Sequence, residues 1–218
     1  ARNISKSFAN TKALDQVKGM SFEVVERLTA AAECRDTDTG EHIIRIGKYA
    51  GHVARRLNLG DEFFENIMFA SQMHDIGKIG IPDNILLKSG GLTREEFTIM
   101  KNHTLIGERI LRGPTSAVLK MAATIAISHH ERWDGGGYPH GLKGESIPLA
   151  GRIVFLCDQY DALRSRRPYK EPLSHERAKE IIVAGDGRSM PEYFDPEVLN
   201  VFRETHAKFD LIFERYQE

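Results

Sequence analysis

The sequence predicts an all-α fold, a compact bundle of helices interrupted by one long Gly/Pro-rich loop. Three observations lead there. Apolar residues recur at three- and four-residue spacing in segment after segment, helix start and stop signals bracket those segments, and no stretch alternates apolar with polar residues as a strand would. The composition agrees: 218 residues, 41% hydrophobic and 28% charged, with 19 glycines and 8 prolines, exclude a collagen-like, low-complexity or disordered chain.

The elements follow in order. Residues 1–20 are polar and weakly periodic, and read as a linker or the end of an upstream signalling helix; residues 21–218 read as one domain. From Ser21, Phe22, Val25, Leu28 and Ala32 fall at helical spacing. Past Gly40, a face of His42, Ile46, Tyr49, Val53 and Leu57 closes at Asn58-Leu59-Gly60, with Gly60 expected as the residue just past the helix end and Asp61 as the next cap. That next helix carries Phe64, Ile67, Met68 and Ser71 toward His74 and Asp75, and Pro82 bars its continuation. Thr93 with Glu96 makes a capping box for a helix reaching about Arg112, with Met100, His103, Gly107 and Ile110 on its inner face. Val118, Met121, Ala122 and Ile125 form a stripe that ends at His129-His130. Residues 131–148 are too rich in Gly and Pro for regular structure. Helices resume over 149–164 and 174–185. The last starts at Asp195-Pro196, a cap followed by the proline favoured at the first helical position, with Leu199, Phe202, His206, Phe209 and Phe213 inward.

Thirty basic residues against thirty-one acidic give a formal charge of -1. No global positive field exists to attract DNA or an anionic membrane, so an anionic ligand must be captured locally. Cys34 and Cys157 make no disulfide framework and suit a reducing cytoplasm. No apolar run approaches the ~20 residues that span a bilayer.

Several of the nine histidines keep company with carboxylates. Asp38 and His42 are four apart, on one helical face. His74-Asp75 and His129-His130 close helical stripes, His103 sits on an inner stripe, and Asp158 lies in the helix after the loop. Imidazole–carboxylate sets suit Fe, Mn, Ni, Co or Zn and lack the thiolates of a structural zinc site. Burying so many ionisable groups without a cation would cost several kcal/mol each. The ligands exceed what one ion needs, so two or more metals are expected, and a carboxylate such as Asp75 can bridge two of them. His206 is read as a hydrogen-bonded core residue, His52 and His175 as surface residues, and His140 as a loop residue open to either role.

The order His42, His74-Asp75, Asp158 resembles the HD superfamily of metal-dependent phosphohydrolases. The run HDIGK at 74–78, with HHERWDGGGYPHGLKGESIPLAGRI from His129 to Ile153, resembles its HD-GYP subfamily, over roughly Ala31 to Phe202. The resemblance implies an HD-domain helical bundle that hydrolyses cyclic dinucleotides, chiefly cyclic di-GMP to pGpG and on to GMP, through a metal-activated water. It assigns His42, His74, Asp75 and Asp158 to one metal and His103, His129 and His130 to a further one, with Asp75 between, and gives Asp75 and Lys78 catalytic roles. Lys78 would contact the scissile phosphate; Arg167 and Lys170, in RSRRPYK, would contact the dinucleotide. Gly137, Tyr138 and Pro139 form the loop motif, with Trp133 and Tyr138 expected to anchor it.

Two divalent ions are implied, Fe or Mn first, with Ni, Co or Zn as alternatives. Asp38 stands where the family often has Glu to help hold a third ion; being one methylene shorter, it favours two. The implied setting is a bacterial two-component signalling protein in the cytoplasm, with a sensor or receiver domain upstream, a homodimer, and a diguanylate-cyclase-type partner at the GYP loop. Two alternatives stay open: a cyclic-dinucleotide or partner-binding module with little turnover, and an enzyme that prefers pGpG or cyclic GMP-AMP.

Overall fold

The computed structural model describes residues 40–113, 115–166 and 171–217, with Gly19, Glu23, Val24, Arg27 and Thr29 ahead of them. The expected linker over 1–20 lies, but for Gly19, outside that set. The described elements are helical: α1 Gly40–Arg56, α2 Asp61–Ala70, α3 Asp83–Leu86, α4 Arg94–Leu111, α5 Ala117–Ser128, α6 Leu149–Arg164, α7 His175–Ala184 and α8 Pro196–Arg215. Short 3-10 turns cover Ser71–Met73, Ile76–Gly80, Gly144–Ser146 and Pro191–Tyr193. Among the described residues there is no strand, as expected, and no helix long and apolar enough to cross a membrane.

The core forms where α1, α6 and α8 meet. Ile46, Tyr49, Ala50 and Val53 of α1 are buried against Ile153, Val154 and Tyr160 of α6 and Phe202 and Phe209 of α8. Tyr49 stacks on Phe209 at 4.8 Å between ring centroids, and Tyr160 meets Tyr49 edge-on at 5.5 Å. On the other flank α4 packs against α5 and against the turn at Ile76–Gly80. That contact needs glycine: a Cβ on Gly77 would lie 1.8 Å from the His103 carbonyl oxygen. The backbone after Asp75 is therefore pressed directly onto the turn of α4 that carries His103.

The helix ends refine the sequence reading. Thr93 and Glu96 make the expected capping box, and Asp195 accepts from the Glu197 and Val198 amides ahead of Pro196. α1, however, ends on Asn58, whose φ is 53°. The Asn58 amide donates to the Arg55 carbonyl and the Leu59 amide to that of Ala54. Asparagine tolerates this left-handed position because its short polar side chain bonds locally. Gly60 instead precedes α2 at φ 82°, and Asp61 is the first residue of α2 rather than its cap. Ile110, expected inward, is instead 49% exposed.

Candidate metal centre

Five elements bring the predicted side chains to one place: His42 from α1, His74 and Asp75 from the turn after α2, His103 from α4, His129 and His130 from the end of α5, and Asp158 from α6. They form two groups. His42, His74 and Asp158 offer ligand atoms that all lie within 4.8 Å of one another, and so do Asp75, His103, His129 and His130. Asp75 faces both: its Oδ2 is 3.4 Å from His74 Nε2, and its Oδ1 is 3.2 Å from His103 Nε2 and 3.3 Å from His129 Nε2. Asp158 Oδ1 lies 3.9 Å from His42 Nε2 and 4.0 Å from His74 Nε2. All of these residues are buried except His130, which is half-buried.

The outer ring nitrogens explain the orientation. Nδ1 of His74 is 2.9 Å from the Ser71 carbonyl oxygen, that of His103 is 2.7 Å from Met100, and that of His129 is 3.1 Å from Ile125 and Ala126. Nδ1 of His42 is 2.8 Å from Asp161 Oδ2. Carbonyl and carboxylate oxygens only accept, so each Nδ1 carries the hydrogen and each Nε2 turns a lone pair inward. Nε2 of His103 and Nε2 of His129 are 3.4 Å apart. Two lone pairs at that range repel, and a cation between them turns the repulsion into binding. The donor set therefore fits divalent metal ions, with nitrogen and oxygen ligands and no thiolate.

Electrostatics agree. Burial, with His129 and His103 as close neighbours, lowers His130 well below the ordinary histidine range, and burial also lowers His129. Both rings are neutral near pH 7, as ligands must be. Burial alone would raise Asp75, but the Lys78 ammonium beside it holds its carboxyl well below the usual carboxylate range. Lys78 Nζ is 2.8 Å from Asp75 Oδ2 at the edge of the cluster.

Three residues of this centre went unassigned in the sequence. Asp161 is fully buried on α6 and takes Arg45 in a fork, Nε to Oδ1 at 2.7 Å and Nη2 to Oδ2 at 2.8 Å, while bonding His42. The Arg45 and His42 hydrogen bonds outweigh burial and keep its carboxyl far below the ordinary range. Glu131, 1% exposed, accepts from the amides of His140 and Leu142 at 2.7 and 2.9 Å and so ties the GYP loop down. The available signal was helical spacing, His42 with Arg45 and Asp158 with Asp161, each pair three apart.

The loop packs on itself. A Cβ on Gly137 would lie 2.3 Å from the Arg132 amide nitrogen. Tyr138 stacks on His130 at 4.7 Å and meets Phe97 edge-on at 6.0 Å, and Pro139 follows it half-buried. Trp133 donates its amide to the Tyr193 carbonyl and accepts from Gly144. Asp38, Arg167 and Lys170 lie outside the described residues, so the structure does not bear on their roles. Arg164, a member of the same basic cluster, turns away from the centre to pair with Asp210 and Glu214. His206 is not in the core and His175 is not simply on the surface: both are half-buried and bonded to each other. His52 bonds Thr205 Oγ1 at 2.9 Å.

A family model described as the HD domain matches residues 8–198. The chain is 46% identical over 197 residues to the cyclic di-GMP phosphodiesterase of Thermotoga maritima, covering 90% of this chain and 52% of that protein. It is 41% identical over 199 residues to the cyclic di-GMP phosphodiesterase response regulator RpfG of Xanthomonas campestris, covering 91% and 52%. To the 3'3'-cGAMP-specific phosphodiesterase 2 of Vibrio cholerae it is 37% identical over 207 residues, covering 95% and 39%. The chain thus spans about half the length of these relatives or less. The crystal structure of a cyclic GMP-AMP-specific phosphodiesterase from V. cholerae shares the fold, with a TM-score of 0.61 at 22% identity over 89% of this chain and 52% of that one. An HDG"Y"P protein from Bdellovibrio bacteriovorus gives 0.58 at 16%, over 88% and 64%. With its motif histidines and aspartates gathered into one buried cluster, this chain belongs to the HD domain family.

Proposed function

We propose that this domain is a metal-dependent phosphodiesterase acting on cyclic di-GMP, opening the ring to pGpG. One observation carries the reading: two groups of imidazoles and carboxylates face opposite oxygens of the single carboxylate Asp75. His42, His74 and Asp158 would hold one ion, His103, His129 and His130 a second, and Asp75 would serve both; Fe or Mn is the expected metal. Bound there, divalent ions supply Lewis acidity to a phosphodiester and lower the pKa of water so that a nucleophile exists near neutral pH.

The chain's own residues do the rest. Lys78 sets an ammonium beside Asp75, where a phosphate's charge would arrive, and a fixed cation there costs no reorganisation when charge builds. Asp161, held by Arg45, fixes the His42 ring. Glu131 pins the loop that brings Tyr138 beside His130. Phe97, 43% exposed beside Tyr138, would meet a purine at the edge of the cluster if Lys101, whose Nζ lies 4.8 and 5.3 Å from the two ring centres, swings toward the phosphates. Arg167 and Lys170 would complete the anion site. A cytoplasmic location suits such a second-messenger substrate.

Cyclic GMP-AMP is the second reading, favoured by the relative of that specificity. The test is anaerobic reconstitution with Mn(II) or Fe(II), incubation with each cyclic dinucleotide, and chromatography of the products. Linear pGpG from cyclic di-GMP, absent with His74→Ala, is expected. Full metal loading with no linear product from either nucleotide would overturn the proposal.

A further inference from the structure

A second group of imidazoles lies outside the centre. Tyr160 is two residues beyond Asp158 on α6 and so points to the opposite side of that helix. Its hydroxyl oxygen is 2.8 Å from Nδ1 of His175, the first residue of α7. Nε2 of His175 is 2.9 Å from Nδ1 of His206 in α8, and the rings stack at 28°. One ligand atom each from His175, His206 and Glu176 falls within 4.8 Å of the others. The imidazoles are half-buried and Glu176 is exposed, so the group is open to solvent. α8 is also broken at Thr205, with φ -129° and ψ 16°, one residue before His206.

We propose that His175, His206 and Glu176 form a separate site for a borderline divalent cation of the zinc class, tying α7 to α8. Two nitrogens and one oxygen select zinc, nickel or copper over magnesium or calcium. A ligating histidine needs an acceptor at its other nitrogen. For His175 this is the Tyr160 hydroxyl oxygen at 2.8 Å, which also accepts from Arg164 Nη1, while Asp210 Oδ1 lies 3.7 Å away as a nearby negative charge. The hydrogen now lying between the two rings has somewhere to go: to Nδ1 of His175, facing those oxygens, or to Nε2 of His206. Binding therefore needs no net loss of a proton. Burial, ahead of its charged neighbours, lowers the His175 pKa and keeps that ring neutral. Lys179, 3.4 Å from Glu176, competes only weakly, as exposed ion pairs do.

The test equilibrates Mn(II)-loaded wild type and His206→Ala with micromolar Zn(II) and measures total bound metal by elemental analysis and thermal unfolding with and without zinc. Wild type should hold about one more equivalent of metal than His206→Ala, and zinc should raise the melting temperature of wild type only. Glu176→Gln, an exposed change that leaves the fold intact, should weaken zinc binding severalfold. The one-equivalent difference should persist in a His74→Ala background, so the result stands apart from the phosphodiesterase reading. Equal metal content in wild type and His206→Ala, or a difference seen only at millimolar zinc, would overturn the site.

Discussion

Asp161 does for His42 what the carbonyls of Ser71, Met100 and Ile125 do for His74, His103 and His129: it takes the Nδ1 hydrogen and leaves Nε2 aimed inward. Such partners typically contribute 10–100-fold to metal affinity. Asp161→Asn is therefore expected to weaken metal binding by about that factor, measured by competition with a chelator; unchanged affinity would remove Asp161 from the centre. Acid sensitivity follows from the same residues. His129 and His130 have lowered pKa values, so below about pH 6.5 the unfolded chain binds protons that the folded chain refuses. Stability is then lost as pH falls through that window. Asp75, also lowered, adds a further loss once pH falls through the carboxylate range. The metal-free protein should melt markedly lower at pH 5.5 than at pH 7.5, and a flat profile would contradict the neutral-imidazole assignment. At this scale the sequence was legible wherever ligands sit in adjacent pairs. Asp161 and Arg45 escaped because helical spacing puts each on a ligand's face without showing that residues 116 positions apart bond to each other.

Elements matter here for where their ends fall. Two of the five contributing elements, the turn after α2 and the end of α5, place ligands at or just past a helix terminus, where a side chain can leave the bundle surface and turn inward. Gly77 sets the spacing between the turn after α2 and α4, which carries His103. Gly77→Ala would drive a Cβ into the His103 carbonyl, and since overpacking costs about 1–3 kcal/mol, denaturant unfolding should register a loss of that order together with reduced metal content. A change without effect on either would mean that α4 can move freely. Loss of the α4 capping box by Thr93→Ala should cost about 1 kcal/mol and leave metal content alone. Capping boxes and Asp-Pro starts are written in neighbouring residues, which is why α4 and α8 were readable. The end of α1 was not, because Asn58 and Gly60 both take a positive φ and the local sequence does not say which of them closes the helix.

For the whole molecule, a cluster fed by α1, α4, α5, α6 and the turn after α2 makes metal binding and folding one equilibrium. A ligand held only by the native state stabilises it by about 4 kcal/mol at a thousandfold excess over its dissociation constant. Chelation should therefore lower the melting temperature, yet leave the helical circular dichroism, because the aromatic core around Tyr49, Phe202 and Phe209 contains none of the ligands. The all-α class was legible from periodicity alone. The division of the ligands into two groups about Asp75 was not, since it depends on how helices cross. That division is tested most directly by electron paramagnetic resonance of Mn(II)-reconstituted protein with the metal-to-protein ratio measured on the same sample. A carboxylate shared by two ions predicts about two Mn(II) per chain with an exchange-coupled signal that Asp75→Asn abolishes. One Mn(II) per chain with an uncoupled six-line spectrum would contradict it.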